Sequence, residues 1–221
     1  MNRIDIVIPV YAGFLETRAC IESVLAARND QVADIIIVDD ASPDRAIVSY
    51  LGEVAASRRA NVLHNATNLG FVATCNRAMR MHAERDVLLL NSDTVVADGW
   101  LDRMVACAQR QPMTASVTPF SNNATLCSYP RIAVSNDMAA GTSVADLDAL
   151  FARVNAGGSV DIPTGVGFCM LMTRAAIDAA GVFDADAFGR GYGEENDWCL
   201  RATAKGFSHR LCADVFVYHQ G

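Results

Sequence analysis

Long hydrophobic runs are absent from this sequence of 221 residues. No stretch approaches the roughly 20 apolar residues that a transmembrane helix needs. A secretory leader is not expected either, because the charged residues Arg3 and Asp5 stand where the apolar core of a signal peptide would begin. These two absences argue against membrane insertion and against secretion.

Paired cysteines are absent too. The seven cysteines are odd in number and widely spaced, and no two form a Cys-x-x-Cys pair. The pattern is therefore neither a disulfide framework nor a zinc signature. We predict buried free thiols in a reducing compartment, since free cysteine is among the most readily buried residue types. They are Cys20, Cys75, Cys107, Cys127, Cys169, Cys199 and Cys212.

Positive charge is in short supply. Eighteen lysines and arginines stand against 25 aspartates and glutamates, a formal net charge of −7, and no basic run of five residues occurs. A nucleic-acid backbone would be repelled on average, so we predict no nucleic-acid partner. A small anionic ligand can still bind where a metal cation or a helix N-terminus offsets the field locally.

The residues that are present favour one α/β domain. With 52% hydrophobic and 19% charged residues the chain can bury a large core. Short β-branched runs alternate with stretches of helical spacing, which predicts a mainly parallel sheet flanked by helices. The predicted strands of the first half are 4–10, 35–38, 61–64 and 86–90, separated by helices near 14–28, 45–56 and 68–81.

The second half is less regular. We predict helices near 98–110, 145–154 and 195–205, and strands at 115–118 and 168–172 and one ending at 217–219. The polar segment 121–142 has few repeating apolar positions and is predicted as a long functional loop. No linker or repeat marks a domain boundary, so a single domain spanning 1–221 is expected.

Polar clusters follow three predicted strands, at 9–11, at Asp39 and Asp40, and at 91–93. Ligands of parallel sheets bind outside the carboxyl ends of the strands, so these clusters mark a candidate site. Asp39 and Asp40 point to opposite sides of an extended chain, and one of them can face a cleft while the other caps a loop. Asp93 suits a divalent cation that bridges to phosphate, although an aspartate here can also simply cap the next helix.

A denser cluster lies at 189–201, where glycines precede Glu194, Glu195 and Asp197. Mutual repulsion of carboxylates can raise a pKa, which suits a general base or a metal ligand. Acidic residues are also favoured at any helix N-terminus by the helix dipole. A second feature, Gly165 to Gly167, is either a tight loop or a place where backbone approaches a ligand closely.

Taken in order, six segments of the chain resemble family 2 of the GT-A-fold glycosyltransferases, inverting enzymes that use nucleotide sugars, of the bacterial surface-polysaccharide type. The segments are 37–42, 68–71, 90–94, 165–169, 181–184 and 193–201. The resemblance implies a GT-A fold: a Rossmann-like nucleotide-sugar-binding half at about 1–95 and an acceptor-binding and catalytic half at about 96–221. It also suggests a domain excised from a longer protein.

The resemblance also assigns roles to residues. Glu195 occupies the position of the catalytic base, which is usually aspartate. Asn91 replaces the first aspartate of the Asp-x-Asp metal motif, which leaves Asp93, with His219, to hold a divalent Mn or Mg ion. Glu194, Asp197 and Trp198 would bind the acceptor. Nucleotide-sugar binding would fall to Pro9, Tyr11, Asp40, Asn68, Asn76, Asn91, Ser92 and Gly167.

The implied partners are a nucleoside-diphosphate sugar donor and a saccharide or lipid-linked acceptor, with the protein in the cytoplasm and at most peripheral at the inner face of the membrane.

Two other functions compete with that of a glycosyltransferase. A nucleotidyltransferase would have a basic, glycine-rich loop after the first strand, whereas residues 11–16 hold one glycine and no basic residue. A non-catalytic, glycosyltransferase-like binding module of a larger assembly stays open.

Overall fold

The first half of the protein alternates strands and helices as the sequence predicts. The structure, a computed structural model, describes residues 3–28 and 30–221. The elements are β1 (Ile4–Val10), α1 (Phe14–Ala26), β2 (Val32–Asp39), α2 (Arg45–Ser57), β3 (Asn61–His64), α3 (Phe71–Met79) and β4 (Asp86–Leu90). β1 pairs in parallel with β2 and β4, and β2 pairs in parallel with β3. In this register Val10 lies beside Asp39, so β1 and β2 end at the same edge of the sheet.

The second half adds eleven further elements. They are β5 (Thr94–Val95), α4 (Trp100–Gln109), β6 (Thr114–Phe120), α5 (Val144–Val154), β7 (Ser159–Ile162), β8 (Cys169–Met172), α6 (Arg174–Ala180), α7 (Ala185–Phe188), α8 (Glu194–Thr203), β9 (Ser208–Phe216) and β10 (Tyr218–His219). Within the predicted loop 121–142 the structure has only a 3₁₀ turn at Thr125–Cys127 and a β-bridge between Ser121 and Ser128. β7, α6 and α7 were not predicted.

One mixed sheet runs through both halves, in the order β3-β2-β1-β4-β8-β6-β9-β7. Four of its pairings are parallel, and the pairings of β8 with β4 and β6 and of β7 with β9 are antiparallel. The expectation of a mainly parallel sheet flanked by helices is confirmed. Because β8 enters between β4 and β6 in the reverse direction, β6 still runs parallel to β1 and β4, and its carboxyl end reaches the same edge.

The core lies on both faces of this sheet. Along β1 the side chains of Ile4, Ile6, Ile8 and Val10 pack into one hydrophobic cluster, and Val7 packs into the other. Burial on both faces explains why the strands are nearly continuous apolar runs in the sequence. The seven cysteines are all buried and free, as predicted. In the described ranges, no helix has both the length and the apolar character needed to cross a membrane.

A small antiparallel ribbon brings the end of the chain to the edge where β4 ends. Thr94 of β5 pairs with His219 of β10, and Val95 pairs with Tyr218. The prediction of a single strand ending at 217–219 is therefore wrong in one respect. The structure has two strands there, β9 and β10. The division arises because β9 pairs with β6 as far as Phe216, after which the chain leaves that sheet to pair with β5.

Candidate active site

A pocket of about 430 Å³ opens at the carboxyl ends of β1 and β4. Its volume lies in the range typical of small-molecule sites. The structure brings together here most of the residues predicted to bind a nucleotide sugar, along with Asp93. We call it the donor pocket, and its lining includes Pro9, Tyr11, Asp40, Asn68, Gly70, Phe71, Thr74, Asn91, Ser92, Asp93 and Arg190.

Asp40 organises one wall of the donor pocket. Its carboxylate is buried and accepts three hydrogen bonds of 2.8 Å: one from the Asn65 side chain, one from the Leu69 N–H and one from the Gly70 N–H. These bonds hold the loop that carries Asn68 into the pocket. A carboxylate has about four acceptor sites, so one remains for a ligand. Asp40 therefore supports the loop and keeps one acceptor site free.

Asp39 has the other role expected of this pair of carboxylates. Its Oδ1 accepts a hydrogen bond of 2.8 Å from the Ser42 N–H, and its Oδ2 lies 3.0 Å from Nδ1 of His64. Both contacts fix the turn after β2. Asp39 is not in the lining of the donor pocket, whereas Asp40 is. The prediction that one carboxylate faces the cleft and the other supports a loop is confirmed.

Gly70 lets two loops approach closely. Its φ of +82° is unfavourable for other residues, and a Cβ built on it would lie 2.8 Å from the Cα of Arg190. The next residue, Phe71, donates its N–H to the carbonyl of Arg190 at 3.2 Å. The loop before α8 is thereby held against the donor pocket.

Asp93, which lines the donor pocket, lies beside His219. Nε2 of His219 lies 3.4 Å from Oδ1 of Asp93, and Nδ1 lies 2.5 Å from the carbonyl oxygen of Asn123. Asn122 holds the backbone of His219 on both sides, since its side chain accepts from the His219 N–H and donates to the His219 carbonyl. Because a carbonyl only accepts, Nδ1 carries a proton, and in a neutral ring Nε2 holds an electron pair that faces Asp93 and the Asn91 amide, which lies 3.4 Å away.

The charges of the two side chains depend on each other. Burial opposes ionisation of Asp93, but the hydrogen bond and charge of His219 outweigh it and lower the pKa of Asp93. Burial likewise disfavours the charged form of His219, but Asp93 raises the pKa of this ring overall. An oxygen and a nitrogen donor side by side are a donor set that divalent transition metals accept. The carboxylate of Asp93 therefore fits Mn or Mg, and the His219 nitrogen is a ligand for the transition metal Mn; the Gly221 N–H donates to the second oxygen of Asp93 at 2.9 Å.

A different group of potential metal ligands lies elsewhere. Ligand atoms of Asp5, Asp34 and His82 lie within 4.8 Å of one another. Asp5 and Asp34 lie near the amino-terminal ends of β1 and β2, and His82 lies between α3 and β4, at the edge of the sheet opposite to the donor pocket. The guanidinium of Arg85 donates to both carboxylates, at 2.9 and 2.6 Å, and supplies the positive charge there. This cluster is built as a salt-bridge network, separate from the pocket.

A second pocket, of about 290 Å³, adjoins the donor pocket and shares Phe71, Asn91 and Arg190 with it. We call it the glutamate pocket, because Glu194 and Glu195 line it. Oε2 of each glutamate is buried and, within the described ranges, has no hydrogen-bond partner. Gly167 lies opposite, where an added Cβ would be 3.7 Å from Oε1 of Glu195. Two carboxylates, each with one oxygen that has no hydrogen-bond partner, therefore line a pocket that adjoins the donor pocket.

The comparisons with known proteins bear on this site. The family model described as "Glycosyl transferase family 2" matches residues 5–179, well over half of the chain. The chain belongs to glycosyl transferase family 2. One curated protein that is similar to this chain is "Uncharacterized protein y4gI" of Sinorhizobium fredii (strain NBRC 101917 / NGR234). It is 33% identical over 109 residues. The match covers 48% of this chain and 12% of the relative, so the chain spans about an eighth of that protein.

Solved structures share the GT-A fold with this family 2 chain. "GalNAc-T7 with UDP, GalNAc and Mn2+" matches with a TM-score of 0.74 at 16% identity, over 99% of this chain and 44% of that one. The mannosyltransferase PcManGT from Pyrobaculum calidifontis, "in complex with GDP-Man and Mn2+", gives 0.65 at 14% identity, over 98% and 56%. TarS of S. aureus gives 0.67 at 13% identity, over 99% and 60%. At these identities the likeness establishes the fold.

Three residues predicted for the site of this family 2 chain lie elsewhere. Asn76 is buried on α3, where its amide donates to the carbonyl of Phe183 and accepts from the N–H of the same residue. Trp198 is fully buried, and its indole N–H donates to the carbonyl of Gly181. Asp197 pairs with Arg201 one turn along α8, at 2.8 Å. Asn76 and Trp198 face the core because helical periodicity turns those positions away from the pockets.

Arg190, Phe71 and Thr74 line the donor pocket but were not predicted. Phe71 and Thr74 follow Asn68 within one or two helical turns. Their position at the start of α3, close to a predicted binding residue, is the sequence signal that could have identified them. Arg190 stands between two glycines just before the acidic cluster. That position next to the candidate base is the sequence signal that could have drawn attention to it.

Replacing Glu194 by glutamine is expected to stabilise the fold in a pH-dependent way. Burial, with a further contribution from the charge of Glu195, raises the pKa of Glu194 above its ordinary value. The folded state then holds a proton that the unfolded state has lost, so stability falls as pH rises from the ordinary glutamate pKa through the raised one. The gain in melting temperature of Glu194→Gln should grow as pH rises above the ordinary glutamate pKa of about 4.3 and level off once Glu194 is ionised in the folded state.

The matched control for this measurement is Glu53→Gln, which changes an exposed glutamate on α2. Its melting temperature should differ from that of the unaltered chain by a small and pH-independent amount. A Glu194→Gln gain that stays constant across the pH range would show that burial does not raise the pKa of this group.

Proposed function

We propose that this chain is an inverting glycosyltransferase that moves a sugar from a nucleoside-diphosphate sugar to a hydroxyl of a saccharide or lipid-linked acceptor. The observation that carries the proposal is the continuity of the donor and glutamate pockets through Phe71, Asn91 and Arg190. A donor whose nucleotide lies in the first pocket presents its sugar to the carboxylate in the second. UDP with Mn²⁺, named for one protein of the same fold, and GDP-Man with Mn²⁺, named for another, support a nucleotide-sugar donor and a metal ion.

Glu195 is the general base in this proposal. Its carboxylate takes the proton from the acceptor hydroxyl as the hydroxyl oxygen attacks the anomeric carbon. The bond from this carbon to the diphosphate oxygen breaks in the same step, the nucleoside diphosphate leaves, and the configuration inverts. Glu194 lines the same pocket and is proposed to bind an acceptor hydroxyl, while Gly167 leaves room for the sugar beside the base.

Residues of the donor pocket are proposed to bind the nucleotide part of the donor. Pro9, Tyr11 and Asn68 line the part of the pocket proposed for the nucleoside, with Asp40 as the support of that wall. Asp93 and His219 are proposed to hold a Mn or Mg ion, whose charge would stabilise the departing diphosphate. Asn91 and Ser92 complete the wall between this ion and the glutamate pocket.

Binding of nucleotides with and without metal tests this function. We expect one of UDP, GDP, dTDP and CMP to raise the melting temperature of the chain in Mn²⁺ or Mg²⁺, and to raise it less in EDTA. At about 100 times its dissociation constant a ligand stabilises a fold by roughly 2.7 kcal/mol, which a thermal-shift assay detects.

Two variants test whether Asp93 is responsible for the metal-dependent part of the shift in melting temperature. Asp93→Ala should lose the metal-dependent part of the shift, and Asp102→Ala, which removes an exposed carboxylate from α4, should keep it. If none of the four nucleotides shifts the melting temperature under any of the three conditions, the chain has no donor site and the proposed function is wrong.

A further inference from the structure

Arg190 lies where the donor pocket meets the glutamate pocket, and it lines both. Among the described residues that line either pocket, it is the only lysine, arginine or histidine. Its neighbours in the two linings include four carboxylates, those of Asp40, Asp93, Glu194 and Glu195. The junction therefore carries one positive side chain within a strongly negative site.

The guanidinium of Arg190 is uncommitted. Within the part of the chain that the structure describes, no hydrogen bond or ion pair of this side chain is formed, and the residue is exposed. Arg85 and Arg201, by contrast, bind carboxylates. An arginine that has carboxylates nearby and pairs with none of them is available to a ligand.

The backbone of Arg190 is fixed even though its side chain is free. Its carbonyl accepts from the Phe71 N–H at 3.2 Å, and its Cα packs against Gly70 so tightly that no Cβ would fit there. Both contacts are with the loop at the start of α3 that forms a wall of the donor pocket. The position of Arg190 relative to a bound donor is therefore set before the donor arrives.

A positive charge at this position would offset the negative charges of the site and of a bound diphosphate. A nucleoside diphosphate brings further negative charge to a cleft that already has carboxylates, and like charges at short range are costly in a partly buried site. The loss of the first carboxylate of the Asp-x-Asp motif, at Asn91, leaves fewer ligands for a metal ion. In an extended donor that reaches from one pocket into the next, the diphosphate is the group between the nucleoside and the reacting sugar.

We propose that Arg190 binds the diphosphate of the donor and stabilises it as the leaving group. This inference rests on the proposed function, and it adds a residue to which no role in the site had been assigned. The planar guanidinium can donate two parallel hydrogen bonds to phosphate oxygens, which a lysine cannot reproduce.

The test compares ligands that differ only in the diphosphate. Dissociation constants of UDP and uridine, GDP and guanosine, and dTDP and thymidine are measured for the unaltered chain and for Arg190→Gln and Arg190→Lys, in Mn²⁺ and in EDTA. We expect Arg190→Gln to weaken binding of the preferred diphosphate about tenfold or more, the effect of a lost charge-assisted hydrogen bond. Its nucleoside should bind as before, and Arg190→Lys should recover part of the loss.

Arg153→Gln is the matched control, because it removes the same charge from an exposed position on α5 outside both pockets. It should leave both affinities unchanged. Equal losses of diphosphate and nucleoside affinity in Arg190→Gln would show that the residue only shapes the loop, and no loss of either would show that it does not touch the donor. Both results overturn the inference and leave the proposed function standing, whereas an unaltered chain that binds none of the diphosphates overturns both.

Discussion

Glu195→Gln is expected to lower the rate of sugar transfer by about 10²–10⁴-fold, the usual contribution of a general base. The amide has nearly the shape of the carboxylate but cannot accept the proton of the acceptor hydroxyl. The donor pocket is unchanged by this substitution, so the nucleoside diphosphate should bind with its original affinity. The rate is measured as release of the nucleoside diphosphate from its sugar donor in the presence of saccharide acceptors, and the affinity by titration calorimetry.

Two further variants sharpen this experiment. Glu195→Asp keeps a carboxylate but shortens its reach by one methylene, so it should retain more activity than the glutamine variant. Glu53→Gln, on the surface of α2, should retain all of it. Full activity in Glu195→Gln would exclude Glu195 as the base. Donor binding with no transfer by either the variant or the unaltered chain would instead favour the non-catalytic binding module.

Trp198→Ala is expected to lower the free energy of unfolding by about 3–5 kcal/mol, the cost of removing a large aromatic side chain from a core. Trp198 is fully buried in the hydrophobic cluster that also contains Val7, Met170 and Phe183. Its indole N–H also donates to the carbonyl of Gly181 at 2.8 Å, so the alanine variant leaves that carbonyl without its partner. Urea unfolding followed by circular dichroism measures the change.

Leu200→Ala provides the comparison on the same helix, since Leu200 is 68% exposed and should contribute little to stability. The result also decides between two roles for Trp198. A variant that unfolds like the unaltered chain but loses affinity for acceptors would restore the acceptor-binding role that the sequence suggested, and would contradict the buried position of the ring.

The sequence predicted the first half of the fold closely because the signals there are local. β1 and β4 are short apolar runs, and each ends in a polar cluster that also marks the end of the strand. The second half was harder. β7 has only four residues and exposes two of them, and α6 and α7 are seven and four residues long, too short to show a clear helical period.

The candidate site was predictable to a similar degree. Residues in motifs that directly follow strands, such as Asn68, Ser92 and Asp93, lie in the donor pocket as expected. Asn76 and Trp198 lie in helices, where one position faces the site and the next faces the core. Which of the two they face depends on how the helix packs, and motif spacing contains no information about that.

The sequence by itself determined the α/β class, the buried thiols and the edge of the sheet where the polar residues collect, because each follows from patterns within a few residues of one another. The family resemblance implied that His219 joins Asp93, and the tertiary structure shows what brings the two together; only the tertiary structure decided that Arg190 stands between the two pockets. The first depends on the pairing of Thr94 with His219 across more than half the chain, and the second on the contact between Gly70 and the loop before α8. Contacts of this kind are set by strand register and loop packing, to which distant parts of the chain contribute together.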